Sequence, residues 1–177
     1  MISDSYDVTA NKLKRETIIK SKGKKKYMIK ILFVCHVNIC RSPMAEFVMK
    51  DLVNKKGMAD QFEIASAATS TEEIGNPVYP PAKRKLKEHG ISCEGKTARQ
   101  MTKADYAYYD YIIAMDSFNL RNMTRFAGND PDNKVSLLMD FTNRPGDVAD
   151  PWYTDDFDVT WNDVYEGCVG ILKKLNK

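Results

Sequence analysis

The sequence predicts an α/β domain with a mainly parallel sheet and helices on both faces. Short apolar runs of β-favouring residues alternate with segments of helical period, and Gly and Pro punctuate the junctions between them. The run Ile31-Leu32-Phe33-Val34 is apolar at every position, as a strand covered on both faces requires.

That run is the first strand, and it leads directly into Cys35. From Ser42-Pro43 the pattern turns helical: Ala45, Val48, Met49, Leu52 and Val53 share one stripe and Gly57 stands where the helix should stop. Ser42 is expected to cap this helix, with Pro43 at its first position. A second strand is expected over 62–66, then a Pro- and Gly-containing loop over 69–79 and a helix ending near His89-Gly90. Residues 109–115 read as a third strand, 117–127 as a helix closed by Gly128, and 135–139 as a fourth strand. Trp161, Val164, Tyr165, Cys168, Ile171, Leu172 and Leu175 recur at helical spacing, which predicts a C-terminal helix whose aromatics belong to the core.

A length of 177 residues fits one core, and 43% hydrophobic with 29% charged residues is ordinary globular composition. A mean hydropathy of −0.47 and the shortness of every apolar run argue against a membrane protein. The N-terminus lacks a secretory pattern, so a cytoplasmic location is expected. Cys35, Cys40, Cys93 and Cys168 are too few and too scattered for a disulfide scaffold, and no Cys or His set completes a zinc site. Neither a metal nor a cofactor is expected. Residues 1–27 carry eight Lys or Arg against Asp4, Asp7 and Glu16, while the remainder is mildly acidic. Without an apolar period they read as a flexible basic extension preceding a domain over 28–177, with no nucleic-acid role.

In a parallel sheet with helices on both faces, ligands bind beyond the carboxyl ends of the strands, where Cys35 falls. The segment Cys35-His36-Val37-Asn38-Ile39-Cys40-Arg41-Ser42 sets a thiol and a guanidinium at the two ends of a short strand-to-helix loop. Successive amides in such a turn form an anion nest, and the following helix adds its positive end. Arg41 can grip two oxygens of a phosphoryl group with its planar fork, and the same field favours a thiolate at Cys35. Ser42 could donate its hydroxyl to that thiolate. A nucleophile expelling a phenol also needs a proton donor, which a carboxylic acid in a mobile loop would supply. Asp150-Pro151-Trp152-Tyr153 offers one beside aromatics that can flank an aryl ring, although composition does not separate Asp150 from Asp140, Asp147 or Asp155.

These residues resemble the low-molecular-weight protein tyrosine phosphatases, whose signature is Cys-x-Gly-Asn-Ile-Cys-Arg-Ser-Pro. The likeness continues through Ser66-Ala67-Ala68-Thr69-Ser70, Ile74-Gly75-Asn76-Pro77, His89-Gly90-Ile91, Ala98-Arg99-Gln100, Ala114-Met115-Asp116 and Asp150-Pro151, and spans residues 30–177. The resemblance implies a three-layer sandwich around a four-stranded parallel sheet of order 2-1-3-4, and hydrolysis of phosphotyrosine or small aryl phosphates through a phosphocysteine. It makes Cys35 the nucleophile, Arg41 the phosphate binder and Asp150 the general acid, then base. His36, Val37, Asn38, Ile39 and Cys40 would line the phosphate loop, with Asn38, Ser42, Ser66 and His89 forming a network that shapes it. Cys40 would be able to trap oxidised Cys35 as a disulfide. The implied partners are a phosphotyrosine protein or an aryl phosphate, with inhibition by phosphate-like oxyanions, no membrane, and a monomer or weak dimer.

Two positions depart from the pattern. Val37 stands where the family has a loop glycine, so a positive φ there would be strained by roughly 1–2 kcal/mol. Glu72 stands where relatives commonly place an aromatic wall, and with Trp152 and Tyr153 it would border the substrate, disfavouring acidic flanks. Two other readings are an arsenate reductase of the same fold, which needs a thiol relay that Cys93 and Cys168 supply poorly, and a catalytically weakened phosphate-binding module, which Val37 motivates.

Overall fold

β1 (Ile29–Cys35) is the hub of a sheet ordered β2-β1-β3-β4 in the computed structural model, which describes residues 27–176. β2 (Phe62–Ala68) and β3 (Tyr111–Ala114) flank it in parallel, pairing Cys35 with Ala68 and Val34 with Ala114. β4 (Val135–Leu137) lies parallel to β3 at the edge. The expected strand order and parallel pairing are therefore present. The proposed basic extension falls outside the described residues except for Tyr27, whose hydroxyl donates to Asp110 Oδ1 at 2.6 Å.

Strand parity divides the core. Ile31, Phe33 and Cys35 point into the layer filled by α1 (Arg41–Lys55), α2 (Pro80–Glu88) and α6 (Phe157–Leu175), whereas Leu32 and Val34 point toward Met101, Tyr109 and Met123 on the other face. Residues 31–34 are wholly buried, and each such side chain contributes about 1.5–3 kcal/mol. The parity also sets Cys35 on the face where α1 begins.

α4 (Ser117–Ala127) has the expected bounds: the Asp116 side chain accepts from Asn119 N, and Gly128 follows at a φ of 57°. α5 (Pro151–Thr154) is a single turn. α3 (Lys103–Tyr108) escaped the sequence reading because it has no buried stripe; a capping box between Thr102 and Asp105 starts it instead. The fourth strand stops at Leu137, since Leu138–Phe141 coils into a 3-10 turn that buries Leu138 and Met139 under α6. Close seating of α6 on that turn depends on two glycines: a Cβ at Gly167 would overlap the Leu138 side chain, and one at Gly170 the Phe141 carbonyl oxygen. Within α6, Trp161, Val164 and Cys168 are buried as expected, but Tyr165 is exposed on the outer side. Among the described residues no helix is long and apolar enough to cross a membrane.

Candidate active site

The strand delivers Cys35 with its side chain buried, and the chain then turns through residues 36–40 before α1 starts at Arg41. The bound carbonyls of this passage are taken by neighbouring backbone. Thr69 N donates to Cys35 O, Ser70 N to His36 O, Tyr79 N to Ile39 O and Met44 N to Cys40 O. Among the described residues, no amide of residues 36–40 is spent on a protein acceptor. Such unspent N–H groups, with the first turn of a helix behind them, make a cup for an anion.

The left-handed residue of the turn is Asn38, at a φ of 60°, and not Val37. The expected strain at Val37 is thus absent: its backbone is in a region open to branched side chains, and the tight step falls on a residue type that tolerates it. Asn38 is also pinned. Its Nδ2 donates to Ser42 Oγ at 2.8 Å and to Ser66 Oγ at 2.9 Å, while Oδ1 accepts from Arg99 N at 3.2 Å.

Ser42 is not the cap of α1. Cys40 occupies that position without a side-chain bond, and Ser42, inside the first turn, places its hydroxyl 3.0 Å from Cys35 Sγ. A hydroxyl committed to the thiol and to Asn38 cannot also cap.

The network beneath the loop omits His89. That residue lies on the surface at the end of α2, its ring stacked on Trp161 at 3.6 Å between centroids, because the helix turns it away from β1. Glu46 and Lys96 complete the network instead. Ser66 Oγ donates to Glu46 Oε2 at 2.5 Å, and Lys96 Nζ reaches Glu46 Oε2 and Ser66 O, both at 3.1 Å. Burial lowers the Lys96 pKa, and Glu46 only partly restores it. Neither residue stood out in the sequence; the one signal was Glu46 as a charge among the apolar positions of α1.

Arg41, 4% exposed, closes the cup. Its Nη1 donates to Asp116 Oδ2 at 2.7 Å and to Val148 O at 3.2 Å, and its Nη2 to Asp150 Oδ2 at 2.9 Å. Burial would lower the Arg41 pKa, but the charges of Cys35, Asp150 and Asp116 outweigh it and raise the pKa above its ordinary value. Asp116 is a site residue that sequence reasoning passed over, although its place beyond the carboxyl end of β3 was a usable signal.

Asp150 arrives from the opposite wall as the N-cap of α5, its Oδ1 accepting from Trp152 N at 3.0 Å. The three aspartates that composition could not separate from it serve elsewhere. Asp140 caps the 3-10 turn, Asp147 binds Ser117, and Asp155 is an exposed left-handed residue after α5. The approach to Asp150 is fastened rather than loose. Val148 N donates to Met115 O at 2.8 Å, Ala149 N donates to Asp163 Oδ2 at 3.1 Å, and Ala149 O accepts from Thr160 Oγ1 at 2.9 Å.

On the rim, His36 Nε2 lies 3.1 Å from Glu72 Oε1 and its ring meets Phe118 edge-on at 6.0 Å. These residues open onto a groove of about 440 Å³ that also includes Gln100, Asn122 and Arg125. Trp152 and Tyr153 are 76% and 85% exposed beside Asp150. Cys40 is half-buried, and burial followed by the nearby Cys35 pushes its pKa far up. Cys93 and Cys168 are buried away in the core, with pKa values raised by burial.

The family model for low molecular weight phosphotyrosine protein phosphatase matches residues 30–177. The low molecular weight protein-tyrosine-phosphatase YfkJ of Bacillus subtilis is 38% identical over 152 residues, covering 85% of this chain and 97% of its own. Its crystal structure superposes with a TM-score of 0.82 at 37% identity, covering 88% of this chain and 98% of its own. A low molecular weight phosphotyrosine protein phosphatase of Rattus norvegicus is 40% identical over 152 residues, covering 82% of this chain and 95% of its own. Vibrio vulnificus Wzb, solved with benzylphosphonate, has a TM-score of 0.72 at 28% identity and covers 83% of this chain and 99% of its own. An amide-lined cup between a cysteine and an arginine, on a 2-1-3-4 sheet, is thus carried by a chain that belongs to the low molecular weight phosphotyrosine protein phosphatase family.

Proposed function

We propose that the chain hydrolyses phosphotyrosine and small aryl phosphates in two steps at this cup. The Cys35 sulfur attacks phosphorus while Arg41 and the loop amides hold the equatorial oxygens; the P–O bond to the aryl group breaks, and Asp150 gives its proton to the departing phenol oxygen. Water then attacks the phosphocysteine, Asp150 takes its proton back, and the sulfur leaves toward the Ser42 hydroxyl. The observation that carries this reading is the convergence of a buried thiol, a fixed guanidinium and an aspartate from opposite walls onto one cup.

Trp152, Tyr153 and the His36–Glu72 rim would flank the aryl ring, in keeping with the benzylphosphonate held by Wzb. Glu72 Oε1 is engaged by His36 Nε2 at 3.1 Å, so its carboxylate is not wholly free to face acidic flanks. Phosphate-like oxyanions should compete for the cup. Free cysteines fit a reducing compartment, the cytosol, and one chain supplies every group, so a monomer suffices. An arsenate-reducing relay is disfavoured because Cys93 and Cys168 are sequestered in the core, and a silent binding module loses its motive once Val37 is unstrained. Release of phosphate from p-nitrophenyl phosphate and a phosphotyrosine peptide tests the reading, together with capture of a phosphorylated Cys35 in acid-quenched samples. Turnover that survives Cys35→Ser would sink it.

A further inference from the structure

We propose that Asp163, assisted by Thr160, is a positioning residue for proton transfer by Asp150. The inference rests on the general-acid role of Asp150 given above and concerns what holds that carboxyl in place.

Residues 148 and 149 have all four of their backbone polar groups engaged. Val148 is tied to Met115 O and to Arg41, which belong to the sheet and the cup. Both groups of Ala149 are bound by α6: its N–H by the Asp163 carboxylate at 3.1 Å and its carbonyl by the Thr160 hydroxyl at 2.9 Å. The residue next to the acid is therefore held by the C-terminal helix through both of its backbone polar groups.

Asp163 is an expensive choice for that place. It is 6% exposed on a helix face otherwise filled by Thr160, Val164 and Gly167, and a buried carboxylate is tolerated only with strong partners. Its two oxygens divide the task. Oδ2 accepts from Ala149 N, and Oδ1 from Arg144 Nη2 at 3.0 Å, an arginine that also engages Glu166. Arg144 and Ala149 lie on the same stretch of chain, so one carboxylate fastens the acid loop at two points.

The helix itself is held in register. Gly167 and Gly170 lie one and two turns beyond Asp163 and admit no Cβ against Leu138 and Phe141, so α6 rests backbone-close on the end of the sheet. The line of support runs from the 3-10 turn through α6 and Asp163 to Ala149 and Asp150. Proton donation needs heavy atoms within hydrogen-bond reach, and small displacements are costly there.

The test compares kcat/KM on phenyl phosphate, whose leaving group needs a proton, with p-nitrophenyl phosphate, which needs it far less. Asp163→Ala should lower the phenyl phosphate value by roughly 10- to 100-fold and the nitrophenyl value much less. Asp163→Asn keeps an oxygen for Ala149 N–H and should recover most of the loss. In an Asp150→Asn background, Asp163→Ala should add nothing, since both changes remove the same proton. Equal losses on the two substrates, or effects that multiply with Asp150→Asn, would overturn the proposal. If Asp163→Ala does not fold, Thr160→Val carries the same comparison, and equal losses from it count equally against the idea. Failure of the underlying role is distinguishable, because Asp150→Asn would then itself treat the two substrates alike.

Discussion

The walls of the cup that meet at Arg41 are held by different means. The cysteine wall is a single strand-turn-helix passage in which Asn38 binds Ser42 four residues on, and it is braced from outside: Ser66 and the Arg99 amide hold Asn38, and the flanking carbonyls are taken by Thr69 and Ser70. The aspartate wall borrows its support from far along the chain, from Arg41 at the cup and from Thr160 and Asp163 in α6. A nest must have its amides pre-aimed, which a short covalent turn does once the neighbouring strand and loops brace it. A proton donor must be set at a distance from atoms on another element, which only packing between elements can fix.

The comparison is broken most severely at the shared guanidinium. Arg41→Lys should lower kcat/KM on p-nitrophenyl phosphate by about 10²- to 10³-fold, because a point charge cannot bridge Asp116, Asp150 and a phosphoryl group as a planar fork does. Steady-state kinetics with the folded variant check this, and a loss below tenfold would mean the walls do not depend on that residue.

Asn38→Ala strikes the cysteine wall alone. It combines a positive φ with the loss of two buried hydrogen bonds and a part-buried third, so urea unfolding should show a cost of about 2 kcal/mol. Asp163→Asn, by contrast, should leave phosphate binding at the cup intact.

A milder effect is set by pH. The Arg99 amide that anchors Asn38 belongs to a residue whose side chain is paired with Asp105. Burial would raise the Asp105 pKa, but the Arg99 guanidinium and the Thr102 amide win and hold it below its ordinary value. A depressed carboxylate stabilises the fold above its unfolded pKa of about 3.9, and that contribution is lost as pH falls through the lower folded value. The unfolding free energy measured from about pH 5 down to about pH 3 should therefore fall more steeply in the wild type than in Asp105→Asn. Parallel curves would remove this pair from the support of the cysteine wall.

The smallest change is expected at Val37. With its φ in the ordinary range, Val37→Gly should not raise turnover and should cost about 0.5–1 kcal/mol through added freedom of the unfolded chain. A clear gain in rate would restore the idea of a strained loop.

Legibility followed the same division. Ile31-Leu32-Phe33-Val34, the turn to Arg41 and the bounds of α4 could be read because each depends on neighbours within a few residues. Of the two readings of Ser42, the thiol partner stands and the cap fails: the two look alike in one dimension, and only the return of Asn38 to the same hydroxyl distinguishes them. His89 was placed in the network by its motif alone, whereas the group that arrives there is Lys96, carried in by the loop after α2. α3 lacked any buried stripe to betray it.

By itself, the sequence determined the alternation of strands and helices, the identity of the cup and the place of Cys35 at the end of its strand, since backbone propensity and side-chain period are local properties. Tertiary structure alone decided which of several aspartates meets Arg41, that Glu46 and Lys96 lie under the loop, and that Asp163 holds the peptide before Asp150. Those pairings join groups dozens of residues apart, and their geometry is set by how helices seat on the sheet, down to the two glycines that let α6 come close.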